Sequence, residues 1–183
     1  MLQHPLALRL ERNRSMANSN INFEKYKQIS LSQGMFAIVD KDDFDYLNQW
    51  NWAVARRIGS PSYAIRGEWE NGKQKTVRMH RLVMNAPNGT QVDHINGNGL
   101  DNRRKNLRFC TTKQNLRNRG KNSRNTSGYK GVSWAKHANK WNAQIVVNRK
   151  RMHLGYYEDA KDAARAYDIA AKKYHGDFCY TNF

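Results

Sequence analysis

The sequence predicts an α+β protein made of small antiparallel sheets and a few helices. Three stretches carry this prediction. Short apolar runs separated by turn residues fill residues 28–83, a strand–loop–strand–helix pattern occupies 91–117, and three strands precede one helix in 127–183. A chain of 183 residues has room for one ordinary domain or two small ones.

Charge is the strongest feature of the composition. The chain has 32 Lys and Arg against 15 Asp and Glu, which gives a net charge of +17. A protein this basic is expected to bind a polyanion, with nucleic acid as the first candidate. A purely solubilising role for the charge is the alternative. No lipidation signal, basic amphipathic anchor or apolar run of about eighteen residues points to a membrane.

Cys110 and Cys179 are the only cysteines, and they form no Cys-x-x-Cys pair. A disulfide scaffold and a Cys-ligated zinc knuckle are therefore not expected, and the predicted compartment is a reducing cytoplasm. In residues 1–15 the charges follow the short apolar patch, which is the wrong order for a signal peptide. We predict that residues 1–27 form an extension that is poorly ordered at its start.

Residues 28–83 predict a β-rich N-terminal subdomain. Two strands are expected in 28–39, a short helix in 40–49, further strands at 52–55 and 63–66, and a hairpin turning at Asn71-Gly72. This subdomain either braces the following motif or widens a nucleic-acid footprint. A short helix is predicted at 79–84, and its His80 is either a packing residue, which we favour, or a second catalytic histidine.

The stretch 91–117 holds the residues that predict chemistry. Asp93 and His94 lie on a short strand, and an Asn-Gly-Asn-Gly turn follows. Asn106 precedes a second strand at 107–110. Thr111 or Thr112 is a natural helix N-cap, which places Asn115 in the first helical turn. This order can bring an acid, an imidazole and two amides into one cleft.

Phosphodiester hydrolysis is the reaction that these residue types suit. His94 can act as general base near neutral pH, and the Asn106 carbonyl could orient its ring. Asp93 and Asn115 offer hard oxygen ligands, which favour one Mg²⁺ or Mn²⁺ ion. The residue that braces the phosphate is left open among Arg103, Arg104 and Arg108.

The letters DHINGNGLDNRRKNLR carry a resemblance to a known family. The stretch resembles the ββα-metal (His-Me finger) motif of HNH nucleases, in the variant with Asn in place of the last His that is typical of homing endonucleases. The resemblance implies that Asp93 and Asn115 bind the metal, His94 is the base and Asn106 is its orienter. It also implies a phage or mobile-element setting.

Residues 118–126 lack apolar periodicity and are predicted to be a basic linker between a nuclease domain at 28–117 and a C-terminal domain at 127–183. Its Arg119, Lys121 and Arg124 are expected to follow a phosphate backbone, with a solvated charged tether as the alternative. Arg117, just before the linker, is one of the basic residues expected around a phosphate-bearing substrate.

The C-terminal domain is predicted to be a three-stranded antiparallel sheet packed on one helix. Period-two alternation gives the sheet one apolar and one polar face, and Ala-rich spacing gives the helix a stripe that can cover the apolar face. The polar face remains free to enter a major groove.

This segment, with YKGVSW, KWNAQI and HLGYYEDAKDAARAYDIAAKKYHGDF, resembles the plant ethylene-response-factor (APETALA-two) DNA-binding domain. The resemblance implies the following DNA-facing positions: Lys130, Ser133, Ala135, Gln144, Arg151 and His153, to which we add Trp134. Because the family often has Arg where this chain has Ser133 and Ala135, and Trp where it has His153, its GC-rich target does not transfer.

Together these patterns predict a site-specific, metal-dependent endonuclease that acts on double-stranded DNA, nicks one strand and works as a monomer in the cytoplasm of a bacterial or phage-infected cell. One alternative is a DNA-binding regulator that does not cleave. A basic RNA-binding protein is the other.

Overall fold

The computed structural model describes residues 24–56 and 61–183. Residues 1–23 of the predicted N-terminal extension lie outside these ranges. The described chain combines helices with four small antiparallel sheets of two or three strands each. The prediction of an α+β mixture is confirmed at this level. Among the described residues, no helix is both long enough and apolar enough to cross a bilayer.

The N-terminal part contains two of these sheets. Its elements are β1 (Tyr26–Ser30), β2 (Phe36–Asp40), α1 (Lys41–Leu47), β3 (Ala53–Ala55), β4 (Tyr63–Glu70), β5 (Lys73–Arg78) and α2 (Met79–Val83). β1 pairs with β2, and β4 lies between β3 and β5. Asn71 and Gly72 have φ of 52° and 72°. This pair of left-handed residues is what a two-residue type I′ turn requires, so the predicted hairpin is confirmed.

The central part is a hairpin followed by a helix: β6 (Gln91–His94), β7 (Leu107–Cys110) and α3 (Thr112–Asn118). Its apolar side chains, Val92 and Leu107, belong to the same buried cluster as Val39 and Met79 from the N-terminal part. The N-terminal sheets therefore brace the hairpin, which is one of the two roles that sequence analysis left open.

The C-terminal part is a separate sheet covered by one helix. β8 (Val132–Ala135), β9 (Lys140–Val147) and β10 (Lys150–Tyr157) pair in the order β10-β9-β8, and α4 (Ala160–His175) packs on them. Asp159 caps α4 by accepting from the Lys161 amide at 2.6 Å. Close packing is visible at Gly131, where a Cβ would lie 2.0 Å from the ring of Tyr167.

The segment between α3 and β8 contains no helix or strand in the described chain. This segment starts at residue 119, one residue later than the predicted linker, because α3 continues through Asn118. That residue is buried, and its side chain belongs to the site described next.

Candidate active site

The β6–β7 hairpin places Asp93 and His94 at the end of β6. Asp93 is paired with Arg108 and His94 with Leu107 across the ladder. Only 6% of Asp93 and 4% of His94 is exposed. A carboxylate and an imidazole are thus adjacent and largely desolvated, and buried polar groups of this kind need hydrogen-bond partners.

The carboxylate of Asp93 has two partners. Nε and Nη2 of Arg108 donate to Oδ2 at 3.1 and 2.8 Å. Nδ2 of Asn118 lies 3.2 Å from Oδ1 and 3.0 Å from Oδ2. The stronger, charge-assisted contacts are concentrated on Oδ2, so Oδ1 is the less engaged oxygen.

The ring of His94 is held by Asn102. His94 Nε2 lies 3.3 Å from Asn102 Oδ1 in a buried contact. Burial lowers the pKa of His94 from its ordinary value of 6.5, and the Asn102 hydrogen bond and the charge of Asp93 offset part of that shift. A lowered pKa keeps the imidazole neutral at pH 7, as a general base requires.

Asn106, the predicted orienter, has other partners. Its Oδ1 accepts from the backbone N–H of Asn96 at 3.0 Å. Its Nδ2 donates to the side-chain Oδ1 of Asn96 at 3.0 Å and to the backbone carbonyl of Asp101 at 2.8 Å. In the described structure the predicted contact with His94 is therefore made by Asn102, and Asn106 ties together the loop between β6 and β7. The reason is that the short helical turn before β7 directs Asn106 into that loop.

His80 packs behind His94. Their ring centroids lie 5.0 Å apart, and Tyr63 lies 5.4 Å from His80. Burial lowers the pKa of His80 to about 3, with the neighbouring His94 as the next cause. His80 is not among the described residues that line the cleft, which supports a packing role.

Helix α3 brings two asparagines toward the site. Thr111 and Gln114 form a capping box that fixes the start of the helix. Asn115 donates to Gln91 Oε1 at 3.1 Å, and Asn118 reaches Asp93 and the His94 carbonyl, the latter at 2.9 Å. Residues three apart share one face of a helix. This spacing is a signal in the sequence that could have revealed Asn118, which sequence analysis missed.

These side chains open onto one cleft of about 910 Å³. Asp93, His94, Asn115 and Asn118 all line it, and Asp93 is the one carboxylate among the described lining residues. Four basic side chains also line it: Arg56, Arg78, Arg119 and Lys121. A cleft with basic walls and few acids is suited to a phosphate-bearing substrate.

The donor set of this cleft fits a hard divalent cation. Within the described residues, no group of three or more His, Cys, Asp or Glu side chains is arranged to hold a metal. A metal in the cleft would therefore depend on one carboxylate with amide carbonyls. Asp93, whose Oδ1 is its less engaged oxygen, and the side-chain carbonyl of Asn115 would supply such oxygens from the lining of one cleft, and oxygen ligands suit Mg²⁺ or Mn²⁺.

The three arginines considered for phosphate binding each pair with an aspartate. Arg103 forms two 2.6 Å bonds with Asp101, and Arg104 forms bonds of 2.9 and 2.6 Å with Asp43. Arg108 pairs with Asp93 and is the one of the three that contacts a predicted site residue.

The C-terminal sheet presents an open face on the side opposite α4. Its register places Gln144 opposite His153 and Arg151 opposite Val146. Ser133 lies opposite Asn142 on the same face. The alternate positions Ala143 and Ile145 are buried against α4. The polar positions predicted for DNA contact therefore share the face of the sheet opposite α4, where Arg151 and His153 are exposed and Ser133 and Gln144 are half-buried.

Two predicted DNA contacts are placed differently. Trp134 pairs with Trp141 and alternates with Ser133, so it lies on the helix side of the sheet, although 44% of it is exposed. Lys130 is not one of the side chains on the open face of the sheet. Its Nζ donates instead to the carbonyls of Arg117 and Arg119 at 2.7 and 2.5 Å. Burial lowers the pKa of Lys130 to about 8.

Comparison with known proteins gives two family matches. Residues 77–117 match the HNH endonuclease family, and residues 127–177 match the AP2 domain. Over 63 residues the chain is also 43% identical to an ethylene-responsive transcription factor of Arabidopsis thaliana, which covers 33% of this chain and 15% of that protein.

Two viral relatives extend across more of the chain. An uncharacterized HNH endonuclease of Acanthamoeba polyphaga mimivirus is 28% identical over 157 residues, which is 84% of this chain and 78% of that protein. Protein 3.8 of Escherichia phage T7 is 32% identical over 109 residues, which is 57% of this chain and 89% of that protein. The chain belongs to the HNH endonuclease family and carries an AP2 domain after its HNH motif.

Proposed function

We propose that this protein is a site-specific, divalent-metal-dependent DNA endonuclease of the HNH homing type, with β6, β7 and α3 as a ββα-metal core. The observation that carries the proposal is the meeting of Asp93, His94 and Asn115 on one basic cleft. Hydrolysis of a phosphodiester needs a base for water, stabilisation of negative charge and a bound backbone. The cleft offers His94 as the base, Asp93 and Asn115 as ligands of a charge-stabilising metal, and basic side chains for the backbone.

His94 is the proposed base. A neutral imidazole carries one N–H, so donation from Nε2 to the Asn102 carbonyl leaves Nδ1 as the basic nitrogen. Asn102 holds the ring in place and fixes this tautomer, which is how a partner group supports other catalytic histidines. Proton removal by a positioned base contributes about 10²–10⁴ in rate.

Asp93 and the Asn115 carbonyl are the proposed metal ligands. When bound, a Mg²⁺ or Mn²⁺ ion would act as a Lewis acid toward the phosphate oxygens. The basic walls, with Arg119 and Lys121, would hold the flanking backbone. Because the HNH match covers one motif, at residues 77–117, we propose that a monomer nicks one strand of a duplex.

Target choice is assigned to the C-terminal sheet. Its open face carries Gln144, Arg151 and His153, and an antiparallel sheet can read base edges in the major groove. We propose that residues 28–117 cut and residues 127–183 select the site, and that the setting is a phage or another mobile element in a bacterial cytoplasm.

Supercoiled plasmid tests the proposal. We expect wild-type protein with Mg²⁺ to produce nicked circles and EDTA to stop the reaction. His94→Ala should lose cleavage by about a hundredfold or more, while DNA binding measured by fluorescence anisotropy stays at the wild-type level. Wild-type protein that binds DNA and leaves the plasmid intact with both Mg²⁺ and Mn²⁺ would contradict it.

A DNA-binding regulator without nuclease activity is the second candidate. It is favoured by the open sheet face and by the AP2 match. This reading predicts sequence-selective binding with no cleavage by wild-type protein at any metal concentration. The same plasmid assay separates the two candidates.

A further inference from the structure

Arg108 connects the candidate metal ligand to the end of the chain. Two of its nitrogens donate to Asp93 Oδ2. Its third, Nη1, donates to the Asp177 carbonyl at 2.6 Å, and its guanidinium lies 4.0 Å from the ring centroid of Phe178. One side chain thus spans from the β6–β7 hairpin to the turn that follows α4.

This connection is one of a set between the C-terminal part and the hairpin–helix unit. Lys130 Nζ donates to carbonyls at the end of α3, and Lys113 Nζ donates to Asn148 Oδ1 at 3.0 Å. The turn at Gly176–Phe178 also packs against α3. Contacts therefore reach β7 and both ends of α3, the helix that carries Asn115.

We propose that Arg108 is a positioning residue for the metal-binding carboxylate and that the C-terminal turn at Asp177 and Phe178 sets its position. The proposal rests on the proposed function. Two guanidinium nitrogens converge on Oδ2 and hold that oxygen in place, which leaves Oδ1, whose contact is a longer one from Asn118, as the ligand atom. The C-terminal part then does more than select DNA, because it completes the support of the nuclease site.

The expected loss of metal affinity can be taken from the loss of similar supporting contacts in other metal sites. Loss of a group that orients a ligand typically lowers metal affinity or activity about 10–100-fold. Arg108→Lys keeps the charge but has one nitrogen in place of the three that contact Asp93 Oδ2 and the Asp177 carbonyl. Phe178→Leu keeps apolar bulk and removes the aromatic face, while Phe178→Tyr keeps the face and is the matched control.

The test is Mn²⁺ binding to the full-length, DNA-free protein, measured from the free Mn²⁺ signal in electron paramagnetic resonance. We expect about 10–100-fold weaker binding for Arg108→Lys. For Phe178→Leu we expect binding roughly two- to fivefold weaker, which is the lower end of what a cation–π contact contributes. Phe178→Tyr should match the wild type. Melting temperatures and DNA affinity are measured on the same samples.

The outcomes separate this inference from the proposed function. Wild-type protein that binds no Mn²⁺ and nicks no plasmid would overturn the proposed function. Wild-type protein that binds Mn²⁺ while folded Arg108→Lys binds it equally well or more tightly would overturn the positioning role alone. Equal Mn²⁺ affinity in the Leu and Tyr variants at position 178 would show that the C-terminal turn does not set the position of Arg108, even if their melting temperatures differ.

Discussion

Asn102 and Asn106 lie in the same loop, but their amides serve different neighbours. Asn102 contacts the His94 ring, whereas Asn106 makes three bonds to loop atoms. We expect Asn102→Ala to slow nicking roughly two- to tenfold, the value of one hydrogen bond. Asn106→Ala should instead lower the free energy of unfolding by about 1–3 kcal/mol.

Plasmid nicking and thermal unfolding of both variants distinguish these effects. Slower nicking by Asn106→Ala at an unchanged melting temperature, together with full activity of Asn102→Ala, would return the orienting role to Asn106. The two alanine variants serve as controls for each other, because both positions are buried in one loop.

Lys130 gives a prediction about pH and stability. Burial lowers its pKa from 10.5 to about 8. The unfolded chain therefore binds more protons than the folded chain between pH 8 and 10.5, so the contribution of Lys130 to stability rises with pH across that window. We expect wild-type protein to gain stability relative to Lys130→Met between pH 8 and 10 in denaturant titrations. A constant or shrinking difference would contradict the burial of this amine.

Helix α3 depends on its first turn. Thr111 and Gln114 satisfy each other's backbone amides in the capping box. Loss of such a cap costs about 0.5–2 kcal/mol, and this helix carries Asn115 and Asn118. We expect Thr111→Ala to lower the free energy of unfolding by that amount and to slow nicking.

Thr126→Ala is the control for the cap, because Thr126 is an exposed threonine outside any helix or strand. It should leave both stability and nicking near the wild-type values. If Thr111→Ala nicked plasmid as fast as Thr126→Ala, the start of α3 would not matter for the placement of its asparagines.

Local patterns in the sequence were sufficient for the elements and for part of the site. The Asn71-Gly72 turn, the alternation in β9 and the threonine cap each depend on residues close together in the chain, and each lies where it was predicted. Asp93, His94 and Asn115 line one cleft, as their spacing suggested.

The remaining features depend on contacts between residues far apart in the chain. Asn102 reaches His94 because its backbone N–H donates to the Ile38 carbonyl at 2.7 Å, which fixes the loop on β2. Arg108 contacts Asp177 and Phe178, which lie about seventy positions away in the chain. No periodicity or motif encodes such pairs.

The net charge of +17 should govern the affinity of the protein for DNA. Each neutralised phosphate releases counterions, so the logarithm of the binding constant falls with the logarithm of salt concentration at a slope of about −0.9 per contact. We expect a steep fall between 50 and 200 mM salt, about 10³-fold or more if six or more phosphates are contacted. A nearly flat dependence would mean that the charge does not act through DNA.

Arg119 lines the cleft and is exposed, so it is a candidate for one of these contacts. We expect Arg119→Ala to reduce the salt slope by about one. Lys172→Ala, which removes an exposed charge from the last turn of α4, is the matched control and should leave the slope unchanged. Equal slopes for the two variants would exclude Arg119 from the DNA interface.

The most direct test of the nuclease site compares wild-type protein with Asp93→Asn, which has the same shape but no carboxylate. Nicking of supercoiled plasmid in Mg²⁺ and DNA binding are measured on the same preparations. We expect wild-type protein to convert the plasmid to nicked circles and Asp93→Asn to bind DNA equally well without nicking it. Asp93→Asn that nicks at the wild-type rate would contradict the assignment of this cleft as a metal-dependent active site.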